Sequence, residues 1–201
     1  MKKTIFALAV AMFAQGYAVQ ASAATLTFES LASADGNFAV GSTYVESGFK
    51  LDDITTTSAF GFGAWGSDSP FFSGSTALLN KNDAGLTKLT QIGGGAFQLN
   101  SVDLTVLYPG LTGDGAVAVT FTGTKLDSSI VTQTFSVNDG APQTFTFSGF
   151  TNLSQVTWQD NATYHQFDNI NVVAVPEPES YAMFLAGLGL MGFAARRRLG
   201  K

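Results

Sequence analysis

Between Thr25 and Val173 the chain alternates apolar and polar residues with a period of two, and that pattern admits β-strands and little else. Val117, Val119 and Phe121 alternate with Ala118 and Thr120, and Phe145 and Phe147 alternate with Thr144, Thr146 and Ser148. Each run reads as a strand with one face buried. Further strands are expected over residues 26–29, 44–52, 76–80, 88–92, 97–108, 130–137, 153–159 and 167–173. Pro109-Gly110, Gly113-Asp114-Gly115 and Asn138-Asp139-Gly140 punctuate them as turns. Ten short strands without a sustained helical stripe predict an all-β domain. Its antiparallel sheets would pack face to face as a β-sandwich, with a jelly roll as the first choice of topology.

The two ends carry a different pattern. Lys2 and Lys3 precede an apolar run over residues 5–14, and Ala21-Ser22-Ala23 offers small residues where a signal peptidase reads. This is the layout of a secretory signal peptide over residues 1–23, with the mature chain starting at Ala24. Ten apolar residues span only about 15 Å of a hydrocarbon core about 30 Å thick, so the run is too short for a relaxed membrane span. At the other end Val175-Pro176-Glu177-Pro178 cannot continue a helix or a central strand. A glycine-containing apolar run from Tyr181 to Ala195 follows, predicted as a short transmembrane helix of about 22 Å, and Arg196, Arg197 and Arg198 then fix its end in the cytoplasm.

That sequence of parts resembles the sorting tail of PEP-CTERM proteins of Gram-negative bacteria. The resemblance rests on the Val175–Pro178 element, the short helix and the terminal arginines, in that order, over about 26 residues. It implies that exosortase, a membrane-embedded cysteine transpeptidase, recognises the Pro-Glu-Pro element and removes the tail. The protein would rest transiently in the inner membrane and then pass to the cell surface or the extracellular polymer. The expected organisation is therefore a signal peptide (1–23), a sandwich domain (24–174) and a sorting tail (175–201), with signal peptidase and exosortase as processing partners.

Charge narrows the function of the middle. Between Ala24 and Val175 only Lys50, Lys81, Lys88 and Lys125 oppose thirteen acidic residues, a net charge of −9, and the span contains no arginine. Nucleic acid is excluded as a partner, because phosphate binding needs a basic surface. The chain has no cysteine, which removes disulfides, thiolate zinc sites and thiol nucleophiles together. His165 is the single histidine and lacks the setting of a triad. Gly93-Gly94-Gly95 is followed by no Lys-Ser/Thr, so it is no phosphate loop. Asp52 and Asp53 point to opposite faces of one strand. Asn152 and Asn161 fit the glycosylation pattern and read as turn residues. No catalytic set is assembled, and the domain reads as non-enzymatic. A polysaccharide-acting secreted hydrolase is the alternative, since thirteen acids can place two at hydrolase spacing. A third class, a small-molecule or metal sensor, has only the acidic charge and a candidate ion site in its favour.

Two features stand out. Phe167 and Ile170 are three apart, so a strand burying both must bulge at Asp168-Asn169 and turn that carboxylate sideways. Together with Phe28-Glu29, this resembles jelly-roll carbohydrate-binding modules in which an early Phe-Glu and a late acid share a structural calcium ion. The resemblance makes Glu29 and Asp168 the candidate calcium ligands, with Asn169 where a second acid often stands. The other reading has both carboxylates accepting backbone hydrogen bonds. The second feature is the segment from Phe60 to Phe72, expected as a loop with five aromatics among glycines. Trp65, Phe71 and Phe72 are candidates to stack on sugar rings of an exopolysaccharide; alternatively the loop folds back to cap the sandwich.

Overall fold

A computed structural model describes residues 22–55, 60–107, 116–138, 140–160, 165–175 and 184–192, together with Arg196. Thirteen strands are present among the described residues, in two layers. The first layer holds β1 (Ser22–Leu26), β2 (Phe38–Gly41), β5 (Phe62–Ala64), β6 (Leu78–Asn80), β8 (Phe97–Val106), β11 (Gln143–Thr146) and β13 (His165–Ala174). The second holds β3 (Thr43–Glu46), β4 (Phe49–Asp53), β7 (Leu86–Gln91), β9 (Val117–Lys125), β10 (Ile130–Val137) and β12 (Leu153–Gln159). Every pairing is antiparallel. The first layer runs β2-β5-β6-β13-β8-β11, with β1 beside the C-terminal half of β13. The second runs β3-β4-β7-β12-β9-β10, and the pair Leu153–Phe97 joins the layers at one corner.

Alternation builds the core between the layers. Val117, Val119 and Phe121 on β9 are buried while Ala118 and Thr120 face out, as a half-buried strand requires. Aromatic pairs cross the gap: Trp158 of β12 lies 5.1 Å from Phe167 of β13, and Phe49 of β4 lies 5.5 Å from Phe97 of β8. The all-β antiparallel sandwich expected from periodicity is the architecture observed.

Three local expectations need correction. Residues 44–52 are not one strand but the hairpin β3–β4, because Ser47 and Gly48 both take positive φ (51° and 81°), the conformation of a type I′ turn. Residues 26–29 do not continue as strand; β1 stops at Leu26, Phe28 turns left-handed (φ 57°), and a 3-10 turn follows over Glu29–Leu31. The stretch from Phe60 to Phe72 is not wholly loop, since it contains β5, paired to β2 on one side and β6 on the other. Gly61 makes that packing possible, because a Cβ there would sit 2.5 Å from the Gly41 carbonyl oxygen.

The predicted bulge is present. Asp168 pairs with Asp103 but Asn171 pairs with Ser101, so two residues of β13 oppose one of β8. Asn169 takes φ 48°, and Phe167 and Ile170 are both buried. A second shift between Asn171 and Val172 restores register by an extra residue on β8. The core positions of β8 accordingly change phase, from Phe97 and Leu99 to Val102 and Leu104.

Candidate functional site

The bulge sets the first half of the site. Asp168, the last residue in register before the bulge, faces outward like Gln166 yet is only 5% exposed, because the chain before β6 lies over it. Its carboxylate accepts hydrogen bonds from the Ser75 hydroxyl, the Asn169 amide (2.6 Å) and the Asn169 side chain (3.3 Å). The next residue, Thr76, donates its amide (3.1 Å) and its hydroxyl (3.2 Å) to Glu29. Ser75 and Thr76 thus link the two carboxylates singled out in the sequence. Asp103 stands opposite Asp168 in the ladder, where like charges repel, and the Asn169 side chain also donates to it at 2.9 Å.

Burial pushes the Asp168 carboxyl up to about 6; the Ser75 and Asn169 donors oppose that rise, while the charges of Asp103 and Glu29 add to it. The oxygens gathered here are of the type a hard cation takes. Among the described residues, however, no three His, Asp or Glu side chains form a metal-holding group, and Glu29 and Asp168 already hold protein donors. Hydrogen bonding to the backbone, the second reading of these two acids, describes both of them as they stand.

The aromatic segment supplies the second half. Phe62 is in the core and Phe60 is 65% exposed. Trp65 is half-buried, its ring 5.0 Å from Phe71, with an indole Nε1 that is buried and unpartnered. Phe71 and Phe72, also half-buried, line a groove of about 290 Å³ with Pro142, Thr105 and Gln166. The Gln166 side chain donates to the Phe71 carbonyl at 3.0 Å and so fixes the segment to β13. Trp65 supports Phe71 from beside it and is not among the groove's lining residues. Gln166 and Asp168 sit two apart on β13, so the groove and the carboxylate cluster share the outer face of the first layer. Residues 71–76 run from one to the other.

His165 and Asp160 are both buried, with His165 Nδ1 3.1 Å from Asp160, whose carboxylate accepts the His165 backbone amide. Gly93 and Gly94 take positive φ in the β7–β8 turn. Asp52 and Asp53 diverge as expected: Asp52 pairs with Lys50 at 2.8 Å, and Asp53 turns to Asn80, Asn82 and Thr55. Ser75, Thr76, Asp103, Thr105 and Gln166 carry no local sequence signal; only the register of β8 and β13 and the course of residues 70–76 bring them in.

β13 leads directly into the tail. The Val175 amide donates to the Ala96 carbonyl at 2.8 Å. Pro176, Glu177, Pro178, Arg197 and Arg198 lie outside the described residues, as does most of the expected signal peptide, residues 1–21. Of the expected transmembrane run, residues 184–192 are helical, a length of about 13 Å, and Arg196 is exposed. Among the described residues no helix is long and apolar enough to cross a membrane. Ser22 and Ala23 pair with Ala174 and Val173, so the expected cleavage point after Ala23 falls inside β1, beside the root of the tail.

Residues 174–198 match the PEP-CTERM protein-sorting motif. The match implies export and exosortase processing, with transient membrane anchoring before delivery to the cell surface or beyond. No curated protein matches the chain. Among solved structures, a family 29 carbohydrate-binding module is similar at TM-score 0.41 and 13% identity, over 77% of this chain and 93% of that one. The CBM22-1 xylan-binding domain of Paenibacillus barcinonensis Xyn10C is similar at 0.40 and 12%, over 78% and 97%. The cleaved adhesin domain of Lys-gingipain from Porphyromonas gingivalis is similar at 0.41 and 10%, over 77% and 99%. The sandwich itself is established by the strand pairing.

Proposed function

We propose that this chain is a non-enzymatic exported protein, sorted by exosortase to the cell surface or extracellular polymer, where a jelly-roll-type sandwich binds glycan through the Phe71–Phe72 groove. The observation that carries the reading is that groove: two adjacent rings beside Thr105 and Gln166, on the domain of a chain that ends in a sorting motif. Rings stack on the apolar faces of sugars, and hydroxyl and amide groups meet their hydroxyls. Trp65 lies against Phe71, so its fluorescence reports a ligand seated there. A panel of bacterial and plant polysaccharides should include one that shifts this emission, and Phe72→Ala should lose the shift without loss of fold. A panel with no response, or a response that survives Phe72→Ala, refutes the groove. Replacing Pro176-Glu177-Pro178 by alanines should leave the protein uncleaved in the inner membrane of its host; normal release of that variant refutes the sorting half.

One observation favours the hydrolase alternative: a carboxyl held near 6 beside two other acids is the combination a general acid uses. Asp168 is buried, however, and its oxygens are turned to Ser75 and Asn169. Polysaccharide turnover that disappears in Asp168→Asn would establish that reading.

A further inference from the structure

We infer that β10 is a self-association edge, pairing with β10 of a second copy of this chain to continue the second layer across a two-fold axis.

Sheet ends in this sandwich are mostly guarded. β2, β3 and β11 are four residues each, and β3 ends on Glu46. Short edge strands and charges are the usual protection against stray pairing. β10 has neither. It is eight residues long, it pairs only with β9, and its register runs from Ile130–Thr124 to Val137–Val117 without a shift. Its sequence, Ile-Val-Thr-Gln-Thr-Phe-Ser-Val, holds no charge and no proline. Among the described residues no backbone hydrogen bond runs from β10 to any strand but β9.

The strand is also anchored across the sandwich. The Gln133 side chain donates to the Thr146 carbonyl (3.1 Å) and accepts from the Ser148 amide (3.0 Å), which ties β10 to the opposite layer through a side chain and, among the described residues, not through its backbone edge. A second copy fits that edge on charge. In a domain carrying −9, most approaches between identical surfaces bring like charges together. The outward residues Thr132, Thr134 and Ser136 of β10, and Ala118, Thr120 and Thr122 beside them on β9, are all neutral.

Chemistry selects the register. Antiparallel pairing centred on Gln133 sets Val131 opposite Phe135 on the inner side and Thr132 opposite Thr134 on the outer side, each twice by symmetry. Aromatic–β-branched and Thr–Thr pairs are favourable cross-strand partners. Within one copy Thr120 and Thr134 already make such a pair, at 2.8 Å. Centring on Thr134 instead would set Gln133 against Phe135, a poorer match.

The chain's lack of cysteine makes the test clean. Full-length chains carrying Thr132→Cys and Thr134→Cys, separately and mixed, are exposed to a mild oxidant in detergent solution, with Val45→Cys on the far edge as control. The mixture should give a disulfide-linked dimer, and each single variant and the control should not. Light scattering should show a dimer for the unmodified chain, lost in Thr132→Lys with the melting temperature unchanged. A monomeric unmodified chain, cross-linking no better in the mixture than in the control, or a dimer that survives Thr132→Lys, as one held by the tail would, overturns the inference.

Discussion

Asp168 gives a stability signature with a defined sign. Its carboxyl titrates near 6 in the fold against an ordinary value of 3.8, so between about pH 4 and pH 6 the folded protein holds a proton that the unfolded chain releases. Stability is therefore greater on the acid side of this window and falls as pH rises through 6. A shift of about two units corresponds to about 3 kcal/mol. For a domain of this size that is about 6–12 °C in melting temperature. Thermal unfolding followed by circular dichroism from pH 4 to 8 should show the decline in the natural sequence. Asp168→Asn, neutral throughout, should be flat across the window and more stable at pH 8. Two parallel curves would refute the reasoning, because the cluster would then not strain the charged form. Calcium supplies the second arm. If Glu29 and Asp168 hold the ion proposed for them, millimolar calcium at pH 8 should stabilise the natural sequence, by about 2.7 kcal/mol at one hundred times the dissociation constant, and raise its melting temperature accordingly. It should leave Asp168→Asn unmoved, and magnesium should do less in either protein. Equal calcium shifts in both would show that the ion only screens the −9 charge.

Other substitutions test the framework. Asp53→Ala removes one acceptor each from the buried Asn80 (3.0 Å) and Asn82 (2.6 Å) side chains, which keep Thr87 (3.4 Å) and the Asn80 side-chain oxygen (3.0 Å) as partners, and should cost about 1–3 kcal/mol in urea unfolding. Gly61→Ala drives a Cβ into the Gly41 carbonyl at a position with φ 60° and should free the β2–β5 edge, seen as faster amide exchange over Phe38–Gly41. Trp65→Ala should cost about 2–3 kcal/mol, less than the 3–5 for a fully buried ring, and should weaken glycan binding by loosening Phe71.

What the sequence made legible was whatever depends on near neighbours. Alternation at Val117, Val119 and Phe121 identified a strand because a pleat repeats every two residues. The spacing of Phe167 and Ile170 located the bulge, because only an extra residue puts both on one face. The β3–β4 hairpin was missed because Ser47-Gly48 is just two residues long and interrupts no apolar run. β5 was missed because Gly61 and Gly63 have no strand preference of their own; their place is set by how closely β2 approaches. In the site, Asp168 follows from the spacing of Phe167 and Ile170, and Glu29 from the resemblance to jelly-roll carbohydrate-binding modules. Asp103 was not legible, since it meets Asp168 only through the register that two bulges impose, and Ser75 and Thr76 enter through hydrogen bonds across the fold. The groove follows the same rule: Phe71 and Phe72 were visible as aromatics, while Thr105 and Gln166 lie on strands whose pattern gives no hint of a ligand.

β13 has the groove near one end, at Gln166, and the tail at the other, at Val175, about 30 Å apart at about 3.3 Å per residue. A protein tethered at Val175 and gripping a polymer at Phe71–Phe72 would be pulled along that strand's length. β8 flanks it on one side, with β1 and β6 on the other, so such a pull slides ladders lengthwise and stresses many hydrogen bonds at once. Tension between β1 and the end of β13 acts otherwise: Ala24 and Val172 face each other, and pulling them apart would open β1 from β13 one pair at a time. The same strand would thus be stiff toward a polymer held in the proposed groove and easily peeled from β1.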